Sequence, residues 1–312
     1  MNTRKLSKLA GLAILVVLFS SCTPPVQQPG AGSAAITEPV IVTDARGQEV
    51  EVLAQVQRIV SLAPSNTEIL FALGLGDKVV GVTNFCDYPE EAASIEKVGD
   101  AMAMNIEKIV SLTPDLVLTI EGAPEVVAKL EEAGIVVVVL QPTDLESIYE
   151  TIDLIGQAAG ATGPAQTLIA SMRQRVEAVT AKVAGAGEGP KVFYELDGSD
   201  SAKPWTAGPG SWHDQFIQMV GGVNIAGSTD MAWVQFSAEE IIAQDPAIIV
   251  LGDAAYGMTA ESVAERPGWD VISAVRSGAI FPIDDNLISR PGPRVVDGIE
   301  ALAKIIHQDL FK

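Results

Sequence analysis

The chain contains few of the residues that enzymes use for acid–base or nucleophilic chemistry. Its 312 residues include two histidines, His213 and His307, and two cysteines, Cys22 and Cys86. No GxSxG, HExxH, CxxC or Walker sequence occurs. Two histidines provide little general acid–base capacity, and no grouping of His, Asp and Glu indicates a metal-dependent hydrolase. The sequence therefore favours a binding protein over an enzyme, with no catalytic residues, no metal site and no cofactor of its own.

Two acidic residues, Glu107 and Glu239, occupy the same position in two similar segments. The sequence NIEKIVSLTPDLVL at 105–118 returns 132 positions later as SAEEIIAQDPAIIV at 237–250. Each copy predicts a capped short helix, a break marked by proline and an apolar strand. One explanation of the similarity between the two segments is chance, or the sequence pattern common to βαβ units. A true repeat implies two similar α/β lobes, which suit a clamp around a ligand better than a single-site enzyme.

The start of the chain predicts export and a lipid anchor. Three basic residues precede an apolar run at 9–19 that is too short to span a bilayer, and Ser20, Ser21 and Cys22 follow. Residues 1–21 resemble a lipoprotein signal peptide after which Cys22 carries the lipid, and an uncleaved membrane anchor is the alternative. Residues 22–39 then form the lipidated cysteine and a tether rich in Pro, Gly and Ser. The expected location is extracytoplasmic, with the protein lipid-anchored to a membrane.

The charge balance excludes some partners. The chain has 40 acidic and 20 basic residues and a net charge of −20. This acidity argues against nucleic acid and against a polybasic contact with anionic lipid. Since Cys22 is assigned to the lipid, Cys86 has no partner for an intrachain disulfide. We expect Cys86 to be a small buried residue, with a ligand contact or a reactive thiol as alternatives.

Strands alternate with helices from residue 40 onward, which predicts an α/β fold with parallel sheets covered on both faces. The pattern contains almost no strand from 144 to 186 and then resumes. We therefore divide the chain into an N-terminal α/β lobe at 40–143, a helical connector at 144–186 and a C-terminal α/β lobe at 187–312. A capping box at Ser65–Glu68 and a cap at Ser211 predict two helix starts.

Five segments carry a family resemblance: RIVSLAPSNTEILFALGLGDKVVGVTNFCDYP (58–89), MNIEKIVSLTPDLVL (104–118), TAGPGSWHDQFIQMVGGVNIA (206–226), WVQFSAEEI (233–241) and RPGPRVVDGIEALAKIIH (290–307). They resemble the extracytoplasmic solute-binding proteins of ABC importers for iron chelates and corrinoids, and most closely the cobalamin-binding members. The resemblance covers about 40–312. It implies two lobes with mainly parallel central sheets, a single long helix that joins them, and a ligand cleft between them. It also implies a monomer whose ligand itself carries cobalt or iron.

The resemblance implies a ligand site assembled from loops of both lobes. Similar proteins line the cleft with residues at the loop positions of Phe85, Trp205 and Trp233. Core packing is the alternative interpretation of each of these three residues. Similar proteins also hydrogen-bond ligand amides from the loop that here holds Asp285, Asn286 and Arg290. The sequence departs from the pattern at Ala101, where cobalamin binders often have a large aromatic residue.

Ferric siderophore and haem therefore remain alternative ligands. Haem needs an axial Tyr or His, but His213 lies in the first turn of a predicted helix and Tyr88 precedes a proline, so both are expected to pack. An anionic siderophore needs clustered arginines, and Arg266 and Arg276 are expected at the surface.

Glu107 and Glu239 are not needed for capping, because Glu240 fills the capping-box position three residues after Ser237. A solvated first-turn carboxylate, favoured by the helix dipole, is one interpretation. The resemblance implies another: each acid docks on an arginine of one subunit of an ABC permease dimer.

Overall fold

The computed structural model describes residues 38–187 and 189–312. The predicted signal peptide, Cys22 and nearly all of the predicted tether lie outside the described residues. None of the described helices is both long enough and apolar enough to cross a membrane. The described chain is an α/β structure with a two-stranded hairpin and two larger sheets, each of which forms the centre of a lobe.

The first lobe begins with an antiparallel hairpin of β1 (Val40–Thr43) and β2 (Glu49–Val52), as predicted. Its main sheet has the order β4-β3-β5-β6, and all neighbouring strands are parallel. These strands are β3 (Ile59–Ser61), β4 (Val79–Val82), β5 (Leu116–Ile120) and β6 (Val137–Leu140). All four residues of β6 are buried, which is typical of a parallel sheet covered on both faces. The helices of this lobe are α1 (Pro64–Ala72), α2 (Ile106–Ser111), α3 (Pro124–Glu132) and α4 (Leu145–Ala158).

A single long helix, α5 (Thr162–Val183), joins the two lobes. Its buried residues Ala165, Met172, Val179 and Val183 form one stripe along the helix. The stripe packs into a hydrophobic core that continues from the first sheet through α4 and α5 to the helices of the second lobe. The Arg175 side chain of α5 also pairs with Asp297 at 2.5 Å and Glu300 at 2.9 Å. The connector is thus packed against both lobes along its length.

The second lobe is built on a mixed sheet of order β10-β8-β7-β11-β12, with β9 paired to β7. Strands β7, β9, β11 and β12 are parallel, whereas β8 is antiparallel to both β7 and β10. The strands are β7 (Lys191–Asp197), β8 (Trp205–Ala207), β9 (Val223–Asn224), β10 (Trp233–Gln235), β11 (Ile248–Leu251) and β12 (Ile280–Pro282). The helices are α6 (Trp212–Met219), α7 (Ala238–Gln244), α8 (Ala260–Ala264), α9 (Ser273–Ser277), α10 (Asn286–Ser289) and α11 (Val295–Ile306).

The predicted repeat has the same local structure in both lobes. Asn105 caps α2 and Ser237 caps α7, and each helix leads into a strand at the middle of its sheet, β5 or β11. Thr113 and Asp245, which match at a spacing of 132 residues, have φ of 44° and 48°. They are the two positive-φ residues other than glycine among the described residues. Because this conformation is rare for residues with a side chain, its occurrence at matching positions supports the repeat.

Candidate functional site

A cavity of about 490 Å³, the inter-lobe cavity, lies between the two lobes. The first lobe lines it with residues at the carboxyl ends of β3, β5 and β6: Ala63, Pro64, Ser65, Ile120, Glu121, Leu140, Gln141 and Pro142. The second lobe contributes Trp212, Ser289, Arg290 and Pro291. Open α/β sheets bind ligands outside the carboxyl ends of their strands. The position and lining of the cavity make it the candidate ligand site.

Trp205 and Trp233 begin the neighbouring antiparallel strands β8 and β10. The register pairs Trp233 with Ala207 and Trp205 with Gln235, so both indoles emerge from one face of the sheet. Their exposures of 42% and 45% exclude core packing. Our prediction that both lie in loops was wrong, because strands of three residues are too short to show an alternating pattern in the sequence.

Phe85 lies in the first lobe, in the segment after β4, and is 62% exposed. The preceding Asn84 donates its backbone N–H to Gly99 O at 2.8 Å and its side chain to Asp100 at 3.1 Å. These bonds hold the segment against the loop before α2. The next residue, Cys86, is buried, as predicted, and its Sγ lies 3.1 Å from the hydroxyls of Thr67 and Thr83.

Asp285 belongs to a polar network behind the inter-lobe cavity. Tyr194 donates its hydroxyl to Asp285 Oδ1 at 2.7 Å, and the hydroxyl of Ser289 donates to Oδ2. His213 Nε2 lies 3.3 Å from the same Oδ1. Burial by itself raises the pKa of Asp285, but the hydrogen bonds from His213, Ser289 and Tyr194 lower it overall. Burial and the charge of Asp285 raise the pKa of Tyr194 well above its usual range, so its phenol remains a donor.

Asn286 starts α10 rather than lying in a loop, which corrects our prediction. A four-residue helix gives little periodicity in a sequence. Its side-chain amide donates to Asp284 at 2.9 Å. Of the three residues predicted from this segment, Arg290 lines the inter-lobe cavity, whereas Asp285 and Asn286 are not among its lining residues.

An ion-pair cluster connects the lobes beside the cavity. Glu68 of α1, whose side chain is 1% exposed, receives two hydrogen bonds from Arg294, at 2.8 Å from Nε and 2.6 Å from Nη2. Arg290 lies 3.4 Å from Glu68 and donates to Asp87 at 2.5 Å. The Arg294 guanidinium also stacks on Tyr88, 4.0 Å from its ring centroid. We call these five residues the Glu68 cluster. The pKa of Asp87 is lowered, mainly by the hydrogen bond that Arg290 donates to it.

The capping box predicted at Ser65 does not form, so that prediction was wrong. Helix α1 begins two residues earlier than predicted, at Pro64, and its N-cap is Ala63, which makes no side-chain hydrogen bond. Proline is favoured at the first helical position, because its φ suits a helix and it has no N–H that needs a partner. The Glu68 carboxylate is therefore free of capping and bonds to the other lobe.

Three predictions for arginine and histidine residues remain, and their outcomes differ. Arg266 was expected at the surface but is buried, with two hydrogen bonds to Glu195 at 2.5 Å and 2.7 Å. Arg276 is exposed, as expected. His213 is fully buried at the start of α6, which confirms the expected packing. No group of three His, Cys, Asp or Glu residues within 38–187 and 189–312 is arranged to hold a metal ion.

Glu107 and Glu239 are exposed in the first turns of α2 and α7. Ser237 and Glu240 form the predicted capping box. Within the described parts of the chain, neither the Glu107 nor the Glu239 carboxylate has an ion-pair partner or a hydrogen-bond donor. Both are therefore available to a partner.

Sequence reasoning missed several residues at the site: Trp212, Ser289, Glu68, Asp87 and Arg294. One signal for Arg294 was present, because it occupies the N-cap of the last helix, where a positive charge is unfavourable. A basic residue at such a position suggests a nearby acid that compensates it. Nothing in the sequence indicated that this acid is Glu68, 226 residues away.

A family model described as periplasmic binding protein matches residues 59–287. The uncharacterized ABC transporter substrate-binding lipoprotein YvrC of Bacillus subtilis (strain 168) is 37% identical over 97% of each chain. The vitamin B12-binding protein of Vibrio cholerae serotype O1 is 31% identical over 78% of this chain and 87% of its own. The apo structure of the periplasmic heme-binding protein RhuT from Roseiflexus sp. RS-1 is 27% identical, covers 81% of this chain and 99% of its own, and superposes with a TM-score of 0.73. The resemblance seen in the sequence is confirmed, and the chain belongs to the periplasmic binding protein family.

Proposed function

We propose that this protein is the ligand-binding component of an ABC importer, which captures a corrinoid outside the cytoplasm and delivers it to a permease dimer. In this proposal it is a monomeric binding protein rather than an enzyme, and the lipid on Cys22 holds it to the membrane. The observation that carries the proposal is the inter-lobe cavity, with Arg290 in its lining and two exposed tryptophans on the second lobe. The names of the vitamin B12-binding relative and of the lipoprotein YvrC support the ligand class and the anchor.

The exposed aromatic residues suit a large planar ligand. The volume of about 490 Å³ is in the range of pockets for drug-sized molecules, and a corrinoid is larger. In the proposal the ligand therefore extends beyond the cavity onto Trp205, Trp233 and Phe85. Rigid indoles provide a large apolar contact with little loss of side-chain entropy. Arg290 and the Asp285–Asn286 segment then hydrogen-bond the amides at the edge of the ligand.

Haem is a second candidate, because the similar RhuT structure is that of a heme-binding protein. A haem iron needs an axial side chain. His213 is fully buried, and the other histidine, His307, bonds to Val220 O at 2.7 Å. Tyr88 is partly exposed but lies beneath the Arg294 guanidinium. A corrinoid needs no such ligand from the protein, so these contacts favour it.

An anionic siderophore is the third candidate. Arg290 and Arg294 lie together near the cavity, as such a ligand requires. Glu68 and Asp87 already neutralise these two charges, and Glu195 neutralises Arg266. An anionic ligand would have to displace these carboxylates, which again favours a ligand with neutral amides.

Calorimetric titration of the purified protein with cyanocobalamin, haemin and a ferric catecholate tests the proposal. Corrinoid binding is expected. Trp233→Ala and Trp205→Ala should each weaken binding by about 2–4 kcal/mol, as expected for aromatic anchors at the centre of an interface. Tyr256→Ala is the control, since Tyr256 is an aromatic residue that is 91% exposed and for which no ligand contact is proposed. Binding of haemin with a Soret shift, without corrinoid binding, would refute the proposed ligand.

We further propose that Glu107 and Glu239 contact the permease. The lobes are taken as residues 40–143 and 187–312, with the helical connector at 144–186 between them. Each lobe then presents one exposed acid from the repeat to one permease subunit. The matched positions in two similar lobes suit a partner with two-fold symmetry.

A further inference from the structure

His213 lies in the first turn of α6, and its surroundings are unusual for a histidine at such a position. Its side chain is completely buried and touches parts of the site that come from three distant segments. The ring meets Trp233 edge to face, with 5.4 Å between centroids and 82° between planes. It meets Tyr194 in the same way at 4.9 Å and 72°. Nε2 lies 3.3 Å from both Asp285 Oδ1 and Ser289 Oγ.

Trp233 lies at an edge of the second sheet, where strands restrain their side chains weakly. It begins β10, a three-residue strand at the edge of the sheet, and its only strand partner is β8. Nearly half of its side chain faces solvent. A short edge strand restrains its side chains weakly, because it has neighbours on one side only. The His213 imidazole packs edge to face against this indole, and such a contact contributes to the orientation of the ring.

His213 also holds the segment that carries Arg290. Nε2 faces Asp285, whose backbone O accepts from Ser289 N at 2.7 Å. Arg290 follows Ser289 directly and lines the inter-lobe cavity. The other ring nitrogen, Nδ1, is buried and has no hydrogen-bond partner among the described residues. Nε2 is thus the ring nitrogen that faces the carboxylate, and the faces and edges of the ring pack against the aromatic side chains of Tyr194 and Trp233.

We propose that His213 is a positioning residue, which fixes the ring of Trp233 relative to the Asp285–Arg290 segment before the ligand arrives. The inference rests on the proposed function, in which Trp233 and Arg290 contact the ligand. His213 contacts the elements that carry both groups, because its ring packs against Trp233 and its Nε2 faces Asp285 and Ser289. With His213 the apolar and polar parts of the site are pre-organised, and binding does not need to order them.

The test uses the whole folded protein labelled with 5-fluorotryptophan, without ligand. The four tryptophans give four ¹⁹F resonances, and Trp233→Phe assigns one of them. His213→Asn removes the ring, so the Trp233 resonance should shift and broaden. Trp269 is the internal control for folding, because it is fully buried and packs against Phe193 in a separate core. His307→Asn, which changes the other histidine, should leave the Trp233 resonance unchanged.

His213→Phe separates the two halves of the proposal. It retains an aromatic ring against Trp233, so the ¹⁹F resonance should stay sharp, but it removes the contact of Nε2 with Asp285. Corrinoid affinity should fall roughly tenfold in either variant, since an aromatic pair or one hydrogen bond has about that weight. If His213→Asn does not fold, His213→Gln replaces it in the resonance comparison.

An unchanged Trp233 resonance in a folded ring-less variant would overturn the positioning of Trp233. Unchanged affinity of His213→Phe would overturn the positioning of the Asp285–Arg290 segment. If the wild-type protein binds none of the three ligands, the proposed function fails, but the resonances of the ligand-free protein still decide whether His213 orders Trp233.

Discussion

Replacement of Glu68 by glutamine should destabilise the protein, because Glu68 is the buried carboxylate at the centre of the Glu68 cluster. The change keeps the size of the side chain and removes its charge. The glutamine amide accepts through one oxygen only, so Arg294 loses one of its two hydrogen bonds and the negative charge that compensates its own. The guanidinium of Arg294, like that of Arg290, is only 14% exposed. Removal of one partner from a buried ion pair typically costs about 3–5 kcal/mol, because the other charge is left without compensation.

Two features of the structure reduce this cost. Arg294 keeps its stacking on Tyr88, and Arg290 keeps its pair with Asp87. We therefore expect the lower end, about 3 kcal/mol. For a protein of this size, 1 kcal/mol corresponds to a change of about 2–4 °C in Tm, so the melting temperature should fall by roughly 6–12 °C. Calorimetry or urea unfolding at neutral pH measures the effect.

Glu107→Gln is the matched control, since it makes the same chemical change at an exposed carboxylate without an ion pair among the described residues. Its effect on stability should be within about 0.5 kcal/mol. A Glu68→Gln protein as stable as the control would refute the argument that the Glu68 cluster holds the two lobes together.

Three further predictions follow from the repeat and the chain start. The double change Glu107→Ala, Glu239→Ala should leave ligand affinity and melting nearly unchanged while transporter-stimulated ATPase falls more than in either single variant; normal uptake would refute docking. Cys22→Ser should release the protein from the membrane or stall its processing with ligand binding intact, and fractionation that shows unchanged membrane association would contradict the anchor. Thr113→Gly should stabilise by about 0.5–1 kcal/mol in urea unfolding, because glycine relieves the left-handed φ. Asp245→Gly should instead destabilise, since it removes the hydrogen bonds to Ser273 at 2.7 Å and 3.0 Å; equal effects of the two glycines would refute this difference.

The sequence predicted the architecture well where local signals are strong. Apolar runs such as β6, the caps at Asn105 and Ser237, and the strand-free stretch around α5 depend on neighbouring residues. From these features the two lobes and the helical connector could be predicted. The repeat was also visible in sequence, and its positive-φ residues show that the match extends to backbone conformation.

The site was less predictable because its contacts join distant parts of the chain. The partners of Arg290 and Arg294 are 203 to 226 residues away, and no periodicity or motif connects them. The three-residue strands that carry Trp205 and Trp233 are held by their neighbours in the sheet rather than by local propensity. His213 appeared to be one polar residue at a helix start, and only the tertiary structure shows that it lies between Trp233 and Asp285.

The continuous hydrophobic core through α5 has a consequence for how the protein unfolds. Residues from the first sheet, α4, α5, α6 and α11 belong to one buried cluster, and the described residues of both lobes form one compact unit. Neither lobe can melt alone without exposing the apolar stripe of α5. Local opening should therefore be confined to loops and edges, and amides of both sheets should exchange through the same global event. The two lobes are similar in design, yet in folding they behave as a single cooperative body.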